Sequence, residues 1–332
     1  MAVFGTVFMP EMAITTFEND TWSETKFVSS ESIPMHPGAH VLHYSSTCFE
    51  GLKAFRHDDG GIYVFRMDQN LNRFEQSSQL LNLPAIDKAQ VEQMILSIVG
   101  QYASDVPEPP GSMYIRPTHV GTEASIGKAA APSLTSLLYV LLSPVGDYFT
   151  GGAKPLRLLL DETGMRCAPH MGMIKSGGNY ASALGPILAA RSEVQADQIL
   201  FCPNGDVQET GAANFILIDG NEVITKALDS SFLHGVTRSS ILTLAADLGM
   251  TVSERNISVD ELLERAAKPG VEAALSGTAA VLTPVGTFIH NDKEYQVGNG
   301  EAGPTTQKLR QALNDIQWGK APDKHNWLVK VK

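Results

Sequence analysis

The sequence predicts an α+β protein of two domains. Three observations lead there. At 332 residues the chain is about twice the ordinary length of a domain. Short strand-like and short helical segments are mixed in both halves, which disfavours a doubly wound parallel sheet. A stretch rich in Gly and Pro, residues 143–152, parts the two halves. The expected domains are therefore 1–146 and 155–332, joined by a loop at 147–154.

The elements follow in order. Ile62 to Phe65 alternates like a strand. Asp68 can cap a helix that carries Leu71, Phe74, Ser78 and Leu81 on one face, and Pro84 stops it. Asp87 and Gln90 form a capping box before Val91, Met94, Ile95, Ile98, Val99 and Tyr102, which fall at helical spacing. Pro107 to Gly111 is a loop. Two strands are expected next, Ser112 to His119 and Leu134 to Leu142, the second apolar enough to be buried. Beyond the loop come a strand from Leu156 to Leu160 and an irregular segment to Ile174. A helix over Ala181 to Arg191 precedes strands at Gln198 to Cys202 and Ala213 to Ile218, with turns at Asn204-Gly205 and Asp219-Gly220. Thr237 to Leu248 reads as a helix with Thr237 as its N-cap and Gly249 past its end. Ser258 and Glu261 form another capping box, and Pro304 suits the first turn of a terminal helix.

Composition narrows the function. Hydrophobic residues make up 43% and charged residues 18%, which is enough apolar material for substantial cores. Thirty-six acidic against 25 basic residues give a net charge of −11, with no Lys/Arg cluster, so no nucleic-acid partner is expected. No apolar run approaches the roughly 18 residues of a membrane span. Met1-Ala2-Val3-Phe4 lacks the regions of a signal peptide. Cys48, Cys167 and Cys202 are odd in number and widely spaced, which fits a reducing cytoplasm better than a disulfide framework. A soluble enzyme is the leading class. No metal site is expected: His36, His40 and His43 come nearest to a cluster, and solvated or core histidines are the preferred reading. Gly121 to Lys128 resembles a phosphate-binding P-loop, but its glycines are one residue too far apart and Ala129 replaces the Ser or Thr.

Four segments carry chemistry. Lys175 precedes a glycine turn and a helix start, among small and apolar neighbours. Most lysines are solvated surface charges, yet an amine in such surroundings can attack a carbonyl and form a Schiff base. Tyr180, five residues on, can reach back to it. Glu209 stands among small residues at a turn between strands. It is either a turn residue or the partner of a buried cation such as a pyridinium nitrogen. Leu233 to Arg238 leads into a helix start, and Ser276 to Ala280 offers a hydroxyl and approachable amides; both suit a phosphate. Tyr114 and Arg116 share one face of a strand and suit a carboxylate; an exposed strand face is the alternative.

In this order, these pieces resemble the branched-chain amino acid aminotransferases of the fold-type IV pyridoxal-phosphate enzymes. The resemblance spans nearly the whole chain. It runs from Phe4-Gly5-Thr6-Val7-Phe8 through Phe49-Glu50-Gly51-Leu52-Lys53 and Tyr114-Ile115-Arg116-Pro117 to Lys175–Tyr180, Gly235–Arg238, Gly277-Thr278-Ala279 and Asp315-Ile316-Gln317-Trp318-Gly319. It implies a smaller N-terminal α/β domain and a larger C-terminal pseudo-barrel domain carrying the lysine. Lys175 would hold pyridoxal 5'-phosphate and carry the α-proton. Glu209 would pair with the pyridine nitrogen and Tyr180 with the phenolate oxygen. Arg73 matches the family's phosphate-binding arginine, although spacing alone makes it a surface helix residue. Val236, Thr237 and Thr278 would complete the phosphate cup. Phe4, Tyr44, Phe49 and Tyr148 would wall the side-chain pocket. Tyr114 and Arg116, with Thr278 and Ala279, would hold carboxylates, so that glutamate is accepted beside leucine, isoleucine and valine, with 2-oxo acids as products.

The resemblance also implies a homodimer whose loop near Ser125 to Lys128 reaches the neighbouring site. Three departures stand out. Ala280 and Thr283 replace a Cys-x-x-Cys pair, Lys128 stands where some relatives have an apolar residue, and Ala212 replaces a threonine that contacts the cofactor. Two relatives of the same fold, D-amino acid transaminase and aminodeoxychorismate lyase, are disfavoured by Tyr114 and Arg116 together with Phe49-Glu50-Gly51. A non-catalytic homologue is disfavoured by the joint presence of Lys175, Glu209, Arg73 and Tyr180.

Overall fold

A computed structural model describes residues 4–146 and 154–331. By contacts the chain forms two compact units. The first takes residues up to 146 together with 174–177 and 315–331; the second takes 154–173 and 178–314. The lysine segment Ile174–Gly177 thus groups with the first unit, whereas the sequence led us to expect it in the second. The physical reason is backbone pairing: Phe49 N–H donates to the Lys175 carbonyl at 3.0 Å and Lys175 N–H donates to Ser77 Oγ at 3.2 Å.

The first unit is built on β1 (Glu11–Glu18), β2 (Thr21–Trp22), β3 (Lys26–Ser29), β4 (Thr47–Phe49), β5 (Leu52–Arg56), β6 (Ile62–Phe65), β7 (Ser112–Gly121) and β8 (Ser136–Val145). Its sheet is antiparallel, with the C-terminal strand Leu328–Lys330 at one edge, then β6, β5, β7, β8, β1 and β2; β3 adds to β1 and β4 to β7. Three helices accompany it: α1 (His40–Tyr44), α2 (Met67–Leu80) and α3 (Lys88–Gln101). The apolar stripe Val91, Met94, Ile95, Ile98 and Val99 of α3 is buried with Phe74 of α2 in one core, as the helical spacing expected.

Several boundaries shift for long-range reasons. Helix α2 begins before Asp68, at an N-cap Arg66 in the left-handed region (φ 51°). Arg66 N–H donates to the Trp327 carbonyl at 2.7 Å and its guanidinium lies 4.9 Å from the Trp327 ring centre. A residue far along the chain therefore sets this start. Asp87 does cap α3, accepting from Ala89 N–H and Gln90 N–H. The Gln90 side chain, however, donates to the Ser23 carbonyl, so the reciprocal half of the capping box is not made. Strand β8 runs three residues further than expected, because Ser143, Pro144 and Val145 pair with the start of β7. Pro144 is tolerated there: it lies past the residues that pair with β1, so its missing N–H breaks no ladder on that side.

The second unit contains β9 (Leu156–Asp161), α4 (Gly177–Val194), β10 (Gln198–Phe201), β11 (Asn214–Asp219), β12 (Glu222–Thr225), α5 (Val236–Asp247), β13 (Thr251–Glu254), α6 (Val259–Ala266), β14 (Glu272–Gly277), β15 (Val281–His290), β16 (Lys293–Gln296) and α7 (Pro304–Gln317). The strands form a mixed sheet in the order β10, β9, β15, β14, β11, β12, β13, with β16 on β15. Phe215, Leu217, Leu275 and Phe288 fill its core. Helix α4 starts four residues before the expected Ala181. Ser258 caps α6 through Glu261 N–H, while the Glu261 carboxylate pairs with Arg255 and Arg265. No helix among the described residues is long and apolar enough to cross a membrane. Cys48, Cys167 and Cys202 are buried and unpaired, and burial pushes the Cys48 thiol up to about 12.

His119, fully buried in β7, makes acid sensitivity testable. It is hydrogen-bonded to Ser78 Oγ (3.0 Å) and Ser136 Oγ (2.9 Å), and burial holds its imidazole down to about 3. The unfolded chain binds this proton near pH 6.5. The contribution to stability is thus full above about pH 6.5 and declines by about 1.4 kcal/mol per pH unit as the pH falls toward 3. His119→Gln should flatten the fall in Tm between about pH 6.5 and 4.5, above most carboxylate titration. An unchanged slope would contradict this assignment.

Candidate active site

In the first unit the site grows from the corner Phe49-Glu50-Gly51, between β4 and β5. Each residue of the corner holds a different functional side chain. The Phe49 ring takes two cations, with Lys175 Nζ 5.2 Å and Arg116 Cζ 4.5 Å from its centre. Glu50, 1% exposed, binds Arg73 in a fork: Nε donates to Oε1 at 2.6 Å and Nη2 to Oε2 at 2.8 Å. Asn70 Nδ2 also donates to Oε2, at 2.8 Å, and Gly51 N–H does so at 3.1 Å. Burial alone would raise the Glu50 carboxyl. The adjoining Arg73, then Lys175 and Asn70, outweigh it and hold the carboxyl below the usual range. Gly51 lets the Tyr114 hydroxyl lie against the backbone, since a Cβ there would stand 2.0 Å from that oxygen.

The same hydroxyl accepts from Arg116 Nη2 at 3.0 Å. Tyr114 and Arg116 therefore share one face of β7, as alternation requires. Among the described residues Arg116 Nε is buried without a hydrogen-bond partner, a donor of the kind that a ligand can satisfy. The Phe4 ring packs edge-on to Tyr114 at 5.0 Å. Tyr44, on α1, packs its ring near His40 and donates its hydroxyl to the Ile126 carbonyl. Lys128, whose direction the sequence left open, pairs with Glu123. Arg73 corrects the surface placement that spacing suggested: it is 8% exposed and faces inward. Tyr148 lies outside the described residues.

In the second unit Glu209 is a buried charge rather than a turn ornament, being 3% exposed. Leu233 N–H donates to Oε1 at 2.8 Å, and Asn214 Nδ2 donates to Oε2 at 3.1 Å. Arg166, equally buried, places Nε 2.7 Å from Oε1, an ion pair whose N–H is not aimed along that line. Arg166 Nη2 donates to the Gly172 carbonyl at 2.7 Å. Neither Arg166 nor Asn214 was expected in this role. Arg166 lies in an irregular Gly/Met/Pro segment without periodicity, so no local signal marks it.

The start of α5 corrects another expectation. Gly235, not Thr237, is the N-cap, and no side chain caps it. A Cβ at Gly235 would stand 2.0 Å from Asn214 Oδ1, so the residue that steadies Glu209 also enforces glycine here. Val236 and Thr237 thus form the first turn, whose N–H groups lack intrahelical acceptors and suit an anion. Arg238 is taken up elsewhere, by Glu254 and the Lys226 carbonyl. Thr278 and Ala279 lie half-buried in the turn from β14 to β15, and Tyr180 is half-buried in the first turn of α4.

The class of protein follows from comparison. Residues 47–288 match the family described as class IV amino-transferases, and the chain belongs to that family. A probable branched-chain-amino-acid aminotransferase of Streptomyces coelicolor is 38% identical, over 98% of this chain and 91% of its own. Branched-chain-amino-acid aminotransferase 2 of Bacillus subtilis is 35% identical, over 99% and 92%. Among solved structures, a T.th. branched-chain amino acid aminotransferase with pyridoxamine 5'-phosphate has a TM-score of 0.80 at 26% identity, covering 96% of this chain and 98% of that one. The same enzyme has been solved with 4-methylvaleric acid and with N-(5'-phosphopyridoxyl)-L-glutamate. The α+β architecture expected from the sequence is the one these relatives share.

Proposed function

We propose that the chain is a pyridoxal-phosphate-dependent transaminase that moves an amino group between L-leucine, L-isoleucine or L-valine and 2-oxoglutarate. The observation that carries this reading is the corner at residues 49–51. It sets a lysine amine, a buried arginine and a Tyr-Arg pair with an unused donor around three consecutive residues.

The donor set suits the cofactor. Arg73, the uncapped first turn of α5 with Val236 and Thr237, and Thr278 would hold its phosphate. Glu209, steadied by Arg166 and Asn214, would keep a proton at its ring nitrogen, and Tyr180 would donate to its phenolate oxygen. When bound, the cofactor supplies an electron sink for cleavage of the Cα–H bond. Lys175 Nζ would take the proton from Cα and hold it for its return. Tyr114 and Arg116, with the Thr278 and Ala279 amides, orient the substrate carboxylate. Phe4, Tyr44 and Phe49 keep water from an apolar side chain. Arg116 would also greet the second carboxylate of glutamate, which fits a relative solved with both a branched acid and a glutamate adduct.

The reading extends to a homodimer in the cytoplasm. It is supported by the exposed apolar side chain of Ile126 (70%) on the loop expected to reach a partner, and by the free, buried cysteines. The test is a donor comparison with the purified protein. L-Leucine and 2-oxoglutarate should yield glutamate, and D-alanine should not. Activity with D-alanine alone, or pyruvate released from aminodeoxychorismate, would favour one of the same-fold alternatives.

A further inference from the structure

We infer that Glu50 is a positioning residue for the cofactor phosphate, fixing Arg73 and tying it to the segment that carries Lys175. This deepens the proposed function and rests on its assignment of Arg73 to the phosphate. Three observations lead to it. First, Glu50 is 1% exposed and its two oxygens grip the Nε/Nη2 edge of Arg73, 8% exposed, in a planar fork. A fork of this kind fixes the plane of a guanidinium, and with it the direction of the remaining donors. Second, the same carboxylate takes Asn70 Nδ2 and Gly51 N–H, so it is itself held from a helix and from the chain. Third, the brace closes around the lysine. Phe49, next to Glu50, donates to the Lys175 carbonyl, and Ser77, one helical turn after Arg73, accepts from Lys175 N–H. Glu50 thereby links the two groups that would grip opposite ends of one small molecule: an amine at the aldehyde and a guanidinium at the phosphate.

A carboxylate beside a phosphate subsite would ordinarily repel the ligand. Here its charge is spent on Arg73, and what it contributes is orientation. Loss of such a supporting partner typically weakens ligand binding by about 10–100-fold, as at metal sites.

The test is a titration of the cofactor-stripped full-length protein with pyridoxal phosphate and, in parallel, with pyridoxal, which lacks the phosphate. Three variants are compared with the parent: Glu50→Gln, Arg73→Met and the double variant. Glu50→Gln should raise the Kd for pyridoxal phosphate about 10–100-fold and leave that for pyridoxal nearly unchanged. Arg73→Met should do the same, and the double variant should bind no more weakly than Arg73→Met alone. The double variant leaves no lone buried charge. Glu50→Asp, which keeps the charge but shortens the reach, serves if Glu50→Gln does not fold and should show a smaller loss confined to pyridoxal phosphate. If Arg73→Met weakens the phosphorylated cofactor and the Glu50 variants do not, the inference on Glu50 is overturned alone. Equal loss of both ligands in the Glu50 variants, or multiplying losses in the double variant, also overturns it. If Arg73→Met leaves the affinity intact, the phosphate role of Arg73 fails and the inference goes with it.

Discussion

Replacing Lys175 with alanine should lower the transamination rate by at least about 10⁴-fold and leave the fold intact. Positioned proton transfer alone contributes roughly 10²–10⁴-fold, and a covalent tether to the cofactor adds to that. The structure explains why the fold should survive. The contacts that fix this segment, from Phe49 N–H and to Ser77 Oγ, use the backbone of Lys175, which alanine keeps. Glu50 retains Arg73 and Asn70 when the ammonium is gone. Steady-state rates with L-leucine and 2-oxoglutarate, read beside a thermal melt, make the check. A folded variant that keeps its rate would remove Lys175 from the chemistry. A variant that unfolds would make the lysine a structural residue.

Glu209→Gln should damage both stability and rate. Glu209 and Arg166 are each 3% exposed, and removing one partner of such a pair strands the other. The cost is about 3–5 kcal/mol, which corresponds to a fall in Tm of roughly 6–20 °C for a chain of this class. The rate should fall by about 10²–10³-fold, the scale for losing one preorganised electrostatic partner. The double variant Glu209→Gln/Arg166→Met separates the two effects. With no charge left buried it should recover much of the Tm and none of the rate. Recovery of the rate would mean that Glu209 acts only through packing.

The sequence marks the candidate site residues more readily than the contacts that support them. Periodicity marked the strand Ile62–Phe65 and the buried stripe of α3, because those signals are local. Lys175, Glu209, Tyr114 and Arg116 stood out by residue type and neighbours. Arg73 did not, since its helical position reads as surface until Glu50, 23 residues earlier, turns it inward. Arg166 reaches Glu209 across 43 positions of chain, from a segment with no regular spacing. The start of α2 depends on Trp327, and that of α5 on the side chain of Asn214 against Gly235. In these four cases a long-range contact overrides a local preference, the kind of information that no window of sequence contains.

The proposal that these residues run an amino transfer on a bound aldehyde cofactor is open to a direct check by visible absorbance. Purified protein reconstituted with pyridoxal phosphate should be yellow. The band should bleach on addition of L-leucine without an acceptor and return with 2-oxoglutarate, and Lys175→Ala should lack it. A band that persists with leucine would rule out the substrate assignment, and a protein that stays colourless with the cofactor would rule out cofactor binding by these residues.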